Sequence, residues 1–160
     1  MDSLRDRGLL ERFPQGRVRA FPQDKDDTDT EIALGMLYNE GCDRVVLAGG
    51  GGGRLDHLIG ILSLFHREQH PNLWLSGANE VTAVDDTLER RGLQGRTVSF
   101  FPVGEEPCRM QSRGLKWPLD GLVWRQGDVG ISNVVTEALL EVKMISGRLI
   151  NDIYLLNLLV

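Results

Sequence analysis

Five consecutive glycines, Gly49 to Gly53, stand between a wholly apolar run and an amphipathic one, and this junction restricts the fold more than any other feature of the chain. Val45-Val46-Leu47-Ala48 is short and uninterrupted, the pattern of a strand buried on both faces of a parallel sheet. After the glycines, Leu55, Leu58, Ile59, Leu62 and Phe65 recur at helical spacing, and Leu73-Trp74-Leu75 reads as a further strand. A glycine run is usually a flexible linker, but linkers seldom interrupt a strand–helix connection this tightly. Here glycines let backbone N–H groups approach an anion at a helix N-terminus, and Arg54 adds a guanidinium suited to phosphate. No Lys followed by Ser or Thr comes after them, so the loop is not of the Walker A kind.

Upstream, Leu4 to Arg12 carries a weak helical pattern, and Arg17-Val18-Arg19-Ala20-Phe21 alternates with the period of a strand. Thr28-Asp29-Thr30-Glu31 then fits a capping box, Ile32, Ala33, Met36 and Leu37 offer one apolar face, and Gly41 closes the helix. The order helix, strand, helix, strand, helix, strand predicts a parallel sheet with right-handed crossovers. Asp24, Asp26, Asp27 and Asp29 crowd within six positions between the first strand and its helix. Two readings stand: an exposed turn whose Asp29 complements the helix dipole, or a loop that holds a hard divalent cation, magnesium being the natural one. Asp56 and His57, at the next helix start, divide in the same way between capping and chemistry. Both loops follow predicted strands, so both are expected at the carboxyl edge of the sheet, where ligands bind.

Beyond residue 77 the pattern changes to short strands and turns: Val81 to Val84, Arg96 to Phe101, Leu122 to Trp124 and Leu139 to Ile145. Ser146-Gly147 is expected to turn the last of these into Arg148-Leu149-Ile150 as a hairpin. Leu140, Val142 and Met144 project to one side and, with the apolar tail from Ile153 to Val160, present a face for a second copy of the chain. The division predicted is a parallel βα domain over 1–77 and a small β-sandwich over 78–160. A net charge of −5 with both signs interspersed provides no basic stripe for nucleic acid. The tail is too short to span a bilayer, and Cys42 and Cys108, outside any metal-ligand spacing, read as two reduced, buried thiols of a cytoplasmic protein.

Phe21-Pro22 with Lys25-Asp26-Asp27-Thr28-Asp29, then Gly52-Gly53-Arg54-Leu55-Asp56-His57, resemble the acidic and glycine-arginine-aspartate motifs of the thiamine pyrophosphokinase family. Gly114-Leu115-Lys116-Trp117-Pro118-Leu119, Gly130-Ile131-Ser132-Asn133 and Ser146-Gly147-Arg148-Leu149-Ile150 resemble landmarks of its thiamine-binding domain, in family order. The resemblance implies a partial Rossmann-like catalytic domain followed by the sandwich, and a homodimer with thiamine between subunits. It implies transfer of pyrophosphate from ATP to the thiamine hydroxyl, with magnesium at Asp26 and Asp29, joined by Asp24 and Asp2. Asp26, Asp29, Arg54 and Asp56 are the implied catalytic residues. Gly52, Gly53, Arg54, His57 and Thr28 are implied at the nucleotide, Ser132 and Asn133 at thiamine. On its residues alone the Ser132-Asn133 pair is a polar turn. Met1-Asp2-Ser3 resembles the last three residues of a further family motif, G-D-x-D-S, which implies a family portion upstream of Met1 and a metal site weakened without it. A remnant that dimerises and binds thiamine or nucleotide without turnover is the alternative.

Overall fold

The computed structural model describes residues 12–14, 16, 18–22 and 24–155. Helix α1 spans Asp29–Asn39, and its start is the predicted capping box. Glu31 N–H donates to Thr28 Oγ1 at 3.3 Å, and Thr28 N–H donates to Glu31 Oε2 at 2.6 Å. Gly41, at φ +88°, ends it in the left-handed conformation that only glycine takes without strain. The buried face is centred on Leu34, which packs with Val45 and Leu64, whereas Ala33 and Leu37 of the predicted face are exposed.

Strand β1 (Val46–Ala48) leads through the glycine loop to helix α2 (Leu55–Leu64) and strand β2 (Leu73–Ser76), which pairs parallel with β1. This is the only parallel pair among the described strands. β3 (Asn79–Val84) returns antiparallel to β2, followed by β4 (Thr87–Arg91), β5 (Thr97–Val103), β6 (Cys108–Arg113), β7 (Val123–Trp124), β8 (Gly130–Val134), β9 (Leu139–Ser146) and β10 (Arg148–Tyr154). A six-stranded sheet runs β1-β2-β3-β10-β5-β8, and a four-stranded sheet runs β4-β9-β6-β7.

Period-two alternation places the large sheet in the middle of three layers. Val84, Val98, Phe100, Leu149 and Ile153 face the small sheet, while Trp74, Val81, Val103 and Ile150 face Phe65, Leu58 and Ile61 of the α2 region. An ionic clasp joins the layers at one end. His70 is buried with Nε2 3.2 Å from Asp85 Oδ1, and Arg148 donates to the same oxygen at 2.5 Å and to the carbonyls of Phe65 and Arg67. The hydrogen bond with His70 holds the Asp85 carboxyl below its usual range, and Arg148 adds to the effect.

Several expectations are corrected. The segment 18–22 carries no strand, and among the described residues β1 is an edge strand with one neighbour, its Val46 48% exposed instead of covered on both faces. Leu55, Ile59 and Leu62 face solvent, because only one face of α2 meets the sheet. Ser146-Gly147 is not a hairpin: β9 belongs to the small sheet and β10 to the large one, so the chain turns a corner between layers. Gly147 makes the corner possible, since a Cβ there would lie 3.0 Å from Cys108 Cα and from Pro107 O. Leu140, Val142 and Met144 do point one way, but into the sandwich core at 0%, 0% and 8% exposure, which rules them out as a dimer face. Cys108 is buried, Cys42 only partly. The helix expected over Leu4 to Arg12, Arg12 itself excepted, and the apolar tail beyond Leu155 lie outside the described residues.

Candidate active site

The glycine loop leaves β1 at its carboxyl end, and three of its residues, Gly49, Gly50 and Gly53, have φ of 91°, 71° and 90°. The loop therefore needs glycine for backbone conformation at those points. At the start of α2, Arg54 clasps Asp56 through Nε to Oδ1 (3.1 Å) and a second guanidinium nitrogen to Oδ2 (2.5 Å), while His57 N–H donates to Oδ1 at 3.0 Å. The Arg54 bonds hold the Asp56 carboxyl down to about 2. It is ionised throughout the neutral range and sits at the positive end of α2. All three side chains are exposed, so a phosphate can compete for the guanidinium.

In the acidic loop Asp24, Asp26, Asp27 and Asp29 are all exposed. Asp29 is the first residue of α1 and accepts from Lys25 Nζ at 2.5 Å, a bond that lowers its carboxyl below the ordinary value. Thr28 uses its hydroxyl as the helix cap. Among the described residues no three His, Cys, Asp or Glu side chains converge as a metal site. Asp2 lies outside the described residues. The donors nonetheless suit magnesium, which takes one or two carboxylates and fills its remaining positions with phosphate oxygens and water. Glu31 in the first turn of α1 pairs with Arg67, just past the end of α2 that lies away from the glycine loop.

Ser132 and Asn133 lie on β8. Ser132 is exposed and has φ +61°, the left-handed exception among the described non-glycine residues, and its N–H donates to Ser99 Oγ at 3.2 Å. Ser99 sits where the pairing of β5 with β8 shifts register. Asn133 is 5% exposed and its amide is spent on a neighbouring loop: Trp117 N–H donates to Oδ1 at 3.2 Å, and Nδ2 donates to Trp117 O at 2.6 Å. Asn133 thereby fixes Trp117, whose indole is 52% exposed and carries Lys116 Nζ 4.5 Å from its ring centroid. Trp117 was visible in the sequence as part of a motif, but only the fold shows that a buried amide holds its backbone while its ring stands exposed under a cation.

Strand register puts these parts in relation. Ala48 aligns with Leu75, Ser76 with Asn79, Tyr154 with Asn79, Ile153 with Val98 and Val98 with Asn133, so the glycine loop and the Ser132-Asn133 pair share one end of the large sheet. They stand on its opposite edge strands, β1 and β8. Five inter-strand steps of about 4.8 Å separate them by roughly 24 Å. A separate cleft of ≈ 660 Å³ opens at the other end of the sheet, lined by His66, Glu68, Asp85, Glu105, Glu106 and Arg148 among others, and no predicted site residue borders it.

Fold and site together define a protein with a strand–glycine loop–helix unit fused through one sheet to a β-sandwich that bears an exposed aromatic ring beside a polar pair. The family model described as thiamin pyrophosphokinase, catalytic domain, matches residues 1–75, and the model for the thiamin pyrophosphokinase vitamin B1 binding domain matches residues 86–149. The chain belongs to the thiamin pyrophosphokinase family. It is similar to the crystal structure of thiamin pyrophosphokinase from Geobacillus thermodenitrificans (28% identity, TM-score 0.69, 92% of this chain and 69% of that one). It is also similar in fold to thiamine pyrophosphokinase from Bacillus subtilis (23% identity, TM-score 0.69, 82% and 64%) and to the family protein from Enterococcus faecalis (18%, 0.69, 84% and 66%). The chain thus spans about two thirds of the length of these solved structures. No curated protein sequence matches it. Among the described residues no helix is long and apolar enough to cross a membrane.

Proposed function

We infer that this chain acts as a thiamine pyrophosphokinase, moving pyrophosphate from ATP to the hydroxyl of thiamine and releasing thiamine diphosphate and AMP. The observation that carries this reading is the pair of family models matched in order along the chain, one for catalysis and one for vitamin B1 binding. Residues 1–77 would serve the nucleotide and 78–160 thiamine. The thiamine oxygen attacks the β-phosphorus, the bond from that phosphorus to the oxygen bridging to the α-phosphorus breaks, and the hydroxyl proton is lost. Backbone N–H groups at Gly52 and Gly53, the positive end of α2 with His57, and Arg54 receive phosphate oxygens, Thr28 being assigned to the nucleotide by the family resemblance alone. Asp56, ionised and held by Arg54, orients the guanidinium. Asp26 and Asp29, with Asp24 and Asp2, would hold magnesium, which when bound neutralises phosphate charge. Catalysis of this kind rests on positioning and charge compensation.

Ser132 and the Trp117 ring meet thiamine, Asn133 acting by fixing that ring. The thiazolium is a cation and can take the place of the Lys116 ammonium over the indole. One chain cannot bring both ends of the reaction together, because the glycine loop and Ser132 lie roughly 24 Å apart on opposite sheet edges. A second copy closes the gap. The edge strands β7 and β8 and the residues just before them expose Leu122, Val123, Val129 and Ile131, apolar surface suited to such a partner.

The test is product analysis by mass spectrometry after incubating the chain with ATP, magnesium and thiamine. Thiamine diphosphate and AMP in equal amounts are expected. ADP with thiamine monophosphate would overturn the reaction assignment, and thiamine binding with no product would establish the binding-only alternative.

A further inference from the structure

Strand β2 holds the glycine loop at three successive residues. Leu75 O accepts the Gly49 N–H at 2.9 Å, and the Trp74 indole Nε1 donates to Gly49 O at 2.6 Å, so both backbone polar groups of Gly49 are engaged. Trp74 is 3% exposed and packs with Phe65, Val81 and Ile150, which leaves its N–H no freedom to turn elsewhere. The third contact is steric. A Cβ on Gly51 would stand 1.6 Å from Ser76 Oγ and 2.8 Å from Ser76 Cβ. Gly51 does not have positive φ, so what excludes a side chain there is Ser76 and not the backbone conformation.

Five glycines in a row lose more conformational freedom on ordering than any other sequence of that length. A loop already held in its bound shape spares the ligand that loss and keeps its N–H groups aimed. We propose that Trp74 is a positioning residue for the polyphosphate of the nucleotide, acting through Gly49, and that Ser76 sets the loop's path at Gly51. The proposal rests on the nucleotide reading above. Neither residue belongs to a motif singled out as functional in the sequence.

The experiment titrates the full chain by calorimetry with magnesium ATP and, separately, with thiamine. Trp74→Phe keeps an aromatic ring but removes the N–H together with the pyrrole part of the indole, and the thiamine titration controls for the cavity this leaves in the core. The variant is expected to weaken magnesium ATP about tenfold, the worth of one good hydrogen bond, and to leave thiamine affinity unchanged. Gly51→Ala is expected to weaken magnesium ATP as well, and Gly51→Ala combined with Ser76→Gly to recover most of the loss by removing Ser76 Oγ and Cβ, which leaves Ser76 Cα at 3.1 Å to shift by a few tenths of an ångström. If Trp74→Phe does not fold, the Gly51/Ser76 pair decides alone, rescue supporting the proposal and its absence overturning it. Unchanged magnesium ATP affinity in Trp74→Phe, or equal loss for both ligands, overturns the positioning role. A wild-type chain that does not bind magnesium ATP overturns the nucleotide reading itself, and this proposal with it.

Discussion

Replacing Asn133 by Ala tests whether the thiamine side is built as the geometry indicates. The amide is 5% exposed and makes three bonds: to Trp117 N–H (3.2 Å), Trp117 O (2.6 Å) and Val134 N–H (2.8 Å). Each is worth about 1 kcal/mol net, with a further penalty where a buried backbone group is left without a partner. The Trp117 loop is partly exposed, so water takes over some of that loss, and the expected destabilisation is about 2–4 kcal/mol. With a urea dependence of roughly 2 kcal/mol per molar, the unfolding midpoint falls by about 1–2 M. Asn133→Asp separates the bonds. It keeps the acceptor for the two N–H groups and sets a carboxylate oxygen against Trp117 O, so it is expected to release the loop while retaining part of the stability. Both variants should weaken thiamine more than magnesium ATP, because Trp117 loses its anchor while the glycine loop is untouched. Urea titration followed by Trp fluorescence, with calorimetry for the two ligands, reads out each quantity. A midpoint shift below about 0.3 M, or thiamine affinity equal to wild type in both variants, would refute the reasoning.

Three other outcomes follow from the site. Ile131→Asp, at a residue 64% exposed on the edge strand β8, is expected to convert a dimer into a monomer in sedimentation and to abolish turnover; a wild-type chain that sediments as a monomer at tens of micromolar, roughly the range of ordinary homodimer affinities, counts against the shared site. Arg54→Ala removes the main cause of the low Asp56 value, so the carboxyl, titrated by NMR, should rise from about 2 toward 3.8. Because the folded value is depressed, the Asp56 carboxylate stays ionised in wild type down to about pH 2, whereas in the variant it should take up its proton at higher pH. Asp26→Asn and Asp29→Asn remove hard anionic donors and should make ATP binding weak and insensitive to magnesium; undiminished magnesium dependence in both returns the acidic loop to a structural role.

Local features of the chain were legible from residue order alone. Thr28 and Glu31 cap a helix because their side chains satisfy N–H groups within four positions, and Gly41 ends it through its own backbone freedom. The strand, glycine loop and helix from Val46 to Leu64 formed as read, since the period of apolar residues selects the element. The motifs of both halves, in order, carried the family. Which surfaces those elements cover depends on partners distant in sequence, and there the tertiary structure decided. Val46 became exposed because β1 has one neighbour, and Leu140, Val142 and Met144 became core because β9 faces a second sheet. Alternation tells that residues share a side; it does not tell which side is wet. Gly147, read as a hairpin, moves the chain between layers because its Cα passes against Cys108, a contact across 39 residues. The distance between the glycine loop and Ser132 likewise has no signature in the sequence. It is fixed by the insertion of β3, β10 and β5 between β2 and β8, a strand order that long-range backbone pairing alone determines.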